Sequence, residues 1–365
     1  MLNFPQLSFF LGSNTPQGFY SLFHEFYNPN EDHRMYIIKG GPGTGKSCLM
    51  KTVAEIVEKE GYLCERIPCS SDPDSLDGVM FPELCASIAD GTSPHVIEPR
   101  FPGAVEQFVN LGEFWNTATL RRHAAEIRRL TIAASDEHRR CVQFLSAVKA
   151  IDNDSFRTVR QCVDTPKIEN YAKRLAGREF AVREHQKSGR GVEKRRFLSA
   201  LSPKGVFVLF DSVRLLCDKI FAVKDEYGLC ASVLLENLKE NALGRGYDVI
   251  ACYCPIHPEE KLEHLFVPEL GIGFFTENSY HSLPFEPTKK IHTKRFMDTV
   301  QLSESLCRLR FNSKARRDLI HEAVCRLELA KSIHDKLETY YIKSMDFKRV
   351  QKAALKIADE ILSGV

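Results

Sequence analysis

Gly40-Gly41-Pro42-Gly43-Thr44-Gly45-Lys46-Ser47 satisfies G-x-x-x-x-G-K-[ST], the phosphate-binding P-loop or Walker A pattern. Met35-Tyr36-Ile37-Ile38-Lys39 ahead of it reads as a short strand. Ser47 to Lys59 reads as a helix with Leu49, Val53, Ile56 and Val57 on one apolar face. Strand, glycine loop and helix are the order the chemistry requires. Glycines admit backbone torsions closed to other residues, so successive N–H groups can point at phosphate oxygens. The helix start adds partial positive charge beside them. The expected nucleotide contacts are Gly40, Gly41, Pro42, Gly43, Thr44, Gly45, Lys46, Ser47 and Cys48. Lys46 is expected to reach the β- and γ-phosphates as a catalytic group, and the Ser47 hydroxyl to bind Mg2+. ATP is the expected nucleotide, because no Asn-Lys-x-Asp guanine-reading motif occurs.

The chain repeats itself at about 185 residues. Phe10-Leu11, Pro16, Gly18 and Leu22-Phe23 recur as Phe197-Leu198, Pro203, Gly205 and Leu209-Phe210. Lys39, Gly43, Ser47, Leu49, Glu55 and Gly61-Tyr62 recur as Lys224, Gly228, Ser232, Leu234, Glu240 and Gly246-Tyr247. Cys69 returns as Cys254, Pro82-Glu83-Leu84 as Pro268-Glu269-Leu270, and His95 as His281. The second loop is ruined, since Gly40 to Ser47 aligns with Asp225-Glu226-Tyr227-Gly228-Leu229-Cys230-Ala231-Ser232. Lys46 becomes Ala231, and Asp225 and Glu226 are expected to put negative charge where phosphates sit. The second copy is therefore expected to act as a scaffold or regulatory partner, in an internal pseudo-dimer.

The acid that holds Mg2+ normally ends a strand beside the P-loop strand. Asp77 stays acidic in the ruined copy, as Glu263, whereas Asp90 becomes Thr276. An acid lost together with the P-loop lysine is the expected metal partner, which selects Asp90. Glu83 is a candidate to activate the attacking water, although its survival as Glu269 points towards structure. The residue after Asp90 is Gly91, so the Asp-Glu pair of vigorous ATPases is absent and slow turnover is expected. His95 persists as His281, which favours a structural histidine.

Helix spacing follows each P-loop unit. Leu120, Ala124, Ile127, Ala134, Cys141, Leu145 and Val148 form one stripe, with a turn expected at Asp152-Asn153-Asp154-Ser155. Ala323, Leu327, Ala330, Ile333, Leu337 and Tyr340 form another, broken at Ser344-Met345-Asp346. Each is expected to be an antiparallel helical hairpin, over about 113–180 and 313–363.

Composition bounds the partners. Fifty Lys/Arg against 48 Asp/Glu exclude a uniformly basic coat. Between 121 and 196, however, 19 Lys/Arg face 10 Asp/Glu. That region is the candidate surface for nucleic acid or an acidic protein. No apolar stretch approaches a membrane span, and no secretory leader is visible, so a cytoplasmic protein is expected. The twelve cysteines contain no CxxC pair. Cys252, Cys254, His257 and His264 lack usual zinc-ligand spacing, and buried reduced thiols are the preferred reading. Lys187-Ser188-Gly189-Arg190-Gly191 is the linker candidate.

The loop, with Asp72-Pro73-Asp74-Ser75-Leu76-Asp77, Phe81-Pro82-Glu83-Leu84 and Ala89-Asp90-Gly91-Thr92-Ser93-Pro94-His95, resembles a family of bacterial tandem P-loop ATP-binding proteins. The resemblance covers nearly the whole chain. It implies tandem α/β P-loop NTPase-like domains with helical insertions, and it supplies no substrate. The expected fold is two such domains with parallel-sheet cores, over 1–195 and 196–365, each with a helical hairpin. The leading functional expectation is a slow ATPase or ATP-driven switch on a macromolecule. The alternatives are a P-loop small-molecule or nucleotide kinase, and a non-catalytic nucleotide sensor binding nucleic acid or protein. Lys204 is a candidate contact from the second half to the first half's site, and a homo-oligomer stays open.

Overall fold

The two repeats run the same course of elements, except that an α-helix precedes the strand before the loop in the second repeat alone. The computed structural model describes residues 7–27, 32–180 and 189–364. The first repeat begins with strands β1 (Leu7–Ser8), β2 (Gly12–Thr15), β3 (Gly18–Ser21) and β4 (Arg34–Lys39), then helix α1 (Lys46–Lys59). Strands β5 (Glu65–Cys69), β6 (Asp72–Phe81), β7 (Ala86–Asp90) and β8 (Glu106–Asn110) follow. Helices α2 (Thr117–Arg122), α3 (Ala124–Arg160) and α4 (Thr165–Glu179) close it. The second repeat has β9 (Glu193–Arg196), β10 (Ser199–Ser202), β11 (Gly205–Val208), α5 (Phe210–Leu216), β12 (Lys219–Lys224) and α6 (Leu229–Gly244). It continues with β13 (Val249–Cys254), β14 (His257–Val267), β15 (Ile272–Glu277), β16 (Lys289–His292), α7 (Thr299–Glu304), α8 (Leu306–Ile342) and α9 (Phe347–Ser363).

Each half is α/β around a six-stranded sheet, in the orders β1-β5-β6-β7-β4-β8 and β16-β12-β15-β14-β13-β9. The P-loop strand β4 is parallel to β7 and β8. The sheets are mixed, which corrects the expectation of parallel cores: β6 runs antiparallel to β5 and β7. The connections explain it. Only Ser70 and Ser71 separate β5 from β6, and a short turn separates β6 from β7. A parallel pairing would need a crossover of a dozen residues or more.

The helical regions also depart from the expected hairpins. Helices α3 and α8 each run 37 residues without a break. Asp152 and Asp154 lie inside α3, not in a turn, because α8 supplies their partners. Arg316 Nε is 2.8 Å from Asp152, while Arg308 and Asn312 bind Asp154. The break comes at Gln161–Asp164, where Asp164 accepts the Lys167 N–H at 3.0 Å and caps α4. The expected break at Ser344–Asp346 is present, and Asp346 caps α9. Helices α3 and α8 lie antiparallel: His123 stacks near Tyr340 at one end, Glu137 meets Arg326 midway, and Asp154 meets Arg308 at the other.

A 37-residue helix is about 55 Å long, so it carries the chain from one sheet to the other. The last helix of each repeat therefore packs on the opposite half. Val350, Ala354, Ile357, Ala358 and Ile361 of α9 share a core with Leu49, Met50, Val53, Ala54 and Val57 of α1. Ile168, Ala172, Leu175 and Ala176 of α4 join the second half's core beside α6. The halves are joined again at Phe10 and Phe197, which exchange backbone hydrogen bonds, and by buried Arg196, whose Nε is 2.8 Å from Glu65. The 195/196 boundary falls within β9, a strand of the second sheet. Of the linker candidate, Lys187 and Ser188 lie outside the described residues. Among the described residues, no helix is long and apolar enough to cross a membrane.

Candidate functional site

The glycine loop joins the end of β4 to the start of α1. Gly43 (φ +65°) and Gly45 (φ +87°) hold left-handed backbone that other residues rarely adopt. Thr44 is buried, and its hydroxyl donates to Gly41 O at 2.8 Å, closing the loop on itself. Lys46 Nζ donates to Gly41 O (2.8 Å) and Gly40 O (3.1 Å) and lies 3.5 Å from Asp90 Oδ2. Cys48 is exposed on the first turn of α1.

Asp90 stands where strand order predicts. It ends β7, paired with Ile38 of β4, and its other oxygen accepts the Thr92 N–H at 2.9 Å. Ser47 Oγ accepts the Leu76 N–H at 3.0 Å, which ties α1 to β6. Lys46, Ser47 and Asp90 thus converge at one end of the sheet. Glu83 does not join them. It is exposed in the turn before β7, at the opposite end of a five-residue strand, roughly 17 Å away. That placement removes it from any attacking water. His95 is buried against Phe19 and Phe23, with Nε2 3.0 Å from Asp77 Oδ2. Burial pushes its pKa down, but the Asp77 carboxylate outweighs this and the net shift is upward.

The residue that sequence reasoning missed comes from the second half. Glu338, near the end of α8, accepts the Gly43 N–H through Oε1 at 3.1 Å. Gly43 also lies against the Glu338 backbone, and Gly41 against the Tyr341 ring. The lone tryptophan, Trp115, meets Tyr341 edge-on at 5.9 Å. A hydrogen bond from His334 holds the Glu338 carboxyl below its ordinary value, so it is an anion near neutral pH. A carboxylate oxygen thus stands where the loop geometry would receive a phosphate oxygen, and the loop fits an anion. Nothing local in sequence marks Glu338, which lies 295 residues from Gly43.

The second loop is filled from within. Asp225, buried, accepts the N–H groups of Tyr227 (3.2 Å) and Ala231 (2.8 Å). Burial raises its pKa. Lys261 lies against Gly228, the counterpart of Gly43. Glu226 is exposed, so one acidic side chain and not two fills the loop. Beside it is a cavity of about 90 Å3, lined among others by Lys261, Glu263, Asp152 and Arg316.

The remaining candidates are dispersed. Lys204 Nζ reaches Asp74 of the first half at 2.6 Å, not the loop. Several arginines of the basic region are tied to acids on their own helix, as in Arg129–Glu126 and Arg139–Asp136, and Arg196 is buried. Cys252, Cys254, His257 and His264 are all buried, and among the described residues they form no common ligand cluster. No protein-family model, no curated protein and no solved structure matches the chain.

Proposed function

We propose that the chain is an ATP-binding P-loop protein working as a slow ATPase or ATP-driven switch, in which nucleotide phosphate and Glu338 compete for one N–H group. The observation that carries this reading is the 3.1 Å bond from Gly43 N to Glu338. Phosphate entering the loop displaces the carboxylate, and with it the end of α8. Lys46 then turns from the loop's own carbonyls to the β- and γ-phosphates. Ser47 and Asp90 would hold Mg2+, which supplies charge neutralisation on the phosphates. With Gly91 after Asp90 and Glu83 at the far end of β7, no carboxylate at these positions stands ready to activate water, which supports slow turnover. The output is movement of the α3–α8 pair, which spans both loops. The reading implies an ATP-binding protein similar to the tandem P-loop family; its partner would be met by these helices.

The test is isothermal titration with ATP and GTP, with and without Mg2+, on the full chain. Mg2+-dependent ATP binding is expected, and its loss in Lys46→Ala. Unchanged affinity in that variant overturns the site. Phosphate release with and without nucleic acid then separates a motor from a sensor.

A further inference from the structure

Behind the P-loop the first half brings together three side chains that no nucleotide role uses. Cys69 ends β5, Asp77 lies on β6 and His95 follows β7. One ligand-type atom of each lies within 4.8 Å of the others. His95 Nε2 and Asp77 Oδ2 are already 3.0 Å apart, and the Cys69 sulfur lies within 4.8 Å of both partners' ligand atoms. His95 and Asp77 are buried, and Cys69 is half-buried. A tetrahedral zinc ion with Zn–N, Zn–O and Zn–S bonds of about 2.0–2.3 Å needs ligand separations of about 3.3–3.8 Å. Movements below about 1 Å meet that.

The ruined half supplies an internal control. Its counterparts are Cys254, Glu263 and His281, but two substitutions close the site. Lys261 stands where the first half has Ser75, and its Nζ lies 3.1 Å from Glu263 Oε1. Ser199 stands where the first half has Gly12, and its hydroxyl engages His281 Nε2 at 2.9 Å. An ammonium thus provides the positive charge, and a hydroxyl occupies the histidine nitrogen. His264 does not restore a site. It places a ligand-type atom within 4.8 Å of Glu263 and His281, but its Nδ1 accepts the Thr276 N–H at 3.2 Å, so a neutral ring carries its proton on Nε2 and offers no free lone pair. In the first half neither device exists. Among the described residues, Asp77 has His95 as its one ion-pair partner.

We infer that Cys69, Asp77 and His95 form a binding site for a borderline divalent transition metal of the zinc class, distinct from the Mg2+ position at Ser47 and Asp90. One thiolate, one carboxylate and one imidazole suit such an ion better than Mg2+, which prefers oxygen ligands. Three protein ligands leave one coordination position open. The thiolate, not the thiol, is the ligand, so binding releases the thiol proton.

The test needs no nucleotide, so its failure and failure of the ATP reading are separable. The full chain is stripped with chelator and titrated with Zn2+ and, as a spectral probe, Co2+. About one retained ion per chain is expected, with a thiolate-to-cobalt absorption band. Both are lost in Cys69→Ser and Asp77→Asn, and both survive in Cys254→Ser. As a readout on the unaltered chain, Zn2+ slows alkylation of Cys69, followed by mass spectrometry, and leaves Cys48 unaffected. No retained ion, an unchanged cobalt band in Cys69→Ser, or equal alkylation of Cys69 with and without Zn2+ overturns the inference.

Discussion

Glu338→Ala is the variant that tests the latch most directly. Alanine keeps the helix of α8 intact and removes the acceptor of the Gly43 N–H. The bond measures 3.1 Å, longer than the 2.7–2.9 Å usual for a charge-assisted contact. The side chain is also 34% exposed. The contact therefore belongs at the weak end of the range, about 1 kcal/mol. If the carboxylate swings clear in the wild type, deleting it tightens Mg2+·ATP binding by that amount, about fivefold. If it stays about 5 Å from a phosphate charge, at an effective dielectric of about 20, the repulsion adds about 3 kcal/mol. The gain then exceeds about 100-fold. Isothermal titration reads the difference. Glu338→Gln, which keeps the oxygen and drops the charge, is expected to fall between. An affinity equal to or weaker than wild type in Glu338→Ala, with Lys46→Ala still abolishing binding, refutes the competition.

Three further outcomes are expected. Because the folded-state pKa of Glu338 is lowered, the latch is intact above the ordinary carboxyl value and is lost as pH falls through the lowered one. Trp115 fluorescence, reporting through Tyr341, should change in that acidic window in the wild type and not in Glu338→Ala. Arg196→Met leaves Glu65 buried and unpaired and should cost about 3–5 kcal/mol in urea unfolding, with much of it recovered by adding Glu65→Leu; no loss in the single variant would show the pair to be idle. Ile357→Ala, in the last helix, should destabilise the P-loop half by about 2–5 kcal/mol, read as faster hydrogen exchange in α1; unchanged protection there would contradict the exchange of helices.

The strand, glycine loop and helix were legible because their chemistry is local. Gly43, Gly45 and Lys46 declare themselves within eight residues. The repeat exposed Asp90 by a different route, as an acid that vanished together with the lysine, and the structure places it beside Lys46. What failed was everything decided between distant segments. Asp152-Asn153-Asp154-Ser155 favours turns and caps in isolation, but Arg316, Arg308 and Asn312 on another helix satisfy it inside α3. The apolar stripes announced helices that must be covered, and a stripe does not name its partner. The crossing of α4 and α9 was therefore invisible, and Glu338 with it. Glu83 is a case of another kind, a candidate whose survival as Glu269 already pointed towards structure. Its spacing to Asp90 is short in sequence, but an extended strand converts those residues into the greatest separation available.

The exchange of end helices also bears on the order in which the molecule matures on the ribosome. Domains generally fold from the N-terminus as they emerge. The degenerate half has its cover early, because α4 is made before the α6 it packs against. The half with the intact loop must wait for α9, since Val350 to Ile361 of that helix close part of the apolar face of α1. A prematurely terminated chain would thus carry the complete loop sequence on an unfinished core. Whatever the loop binds, it is offered on a finished core once α9 has emerged.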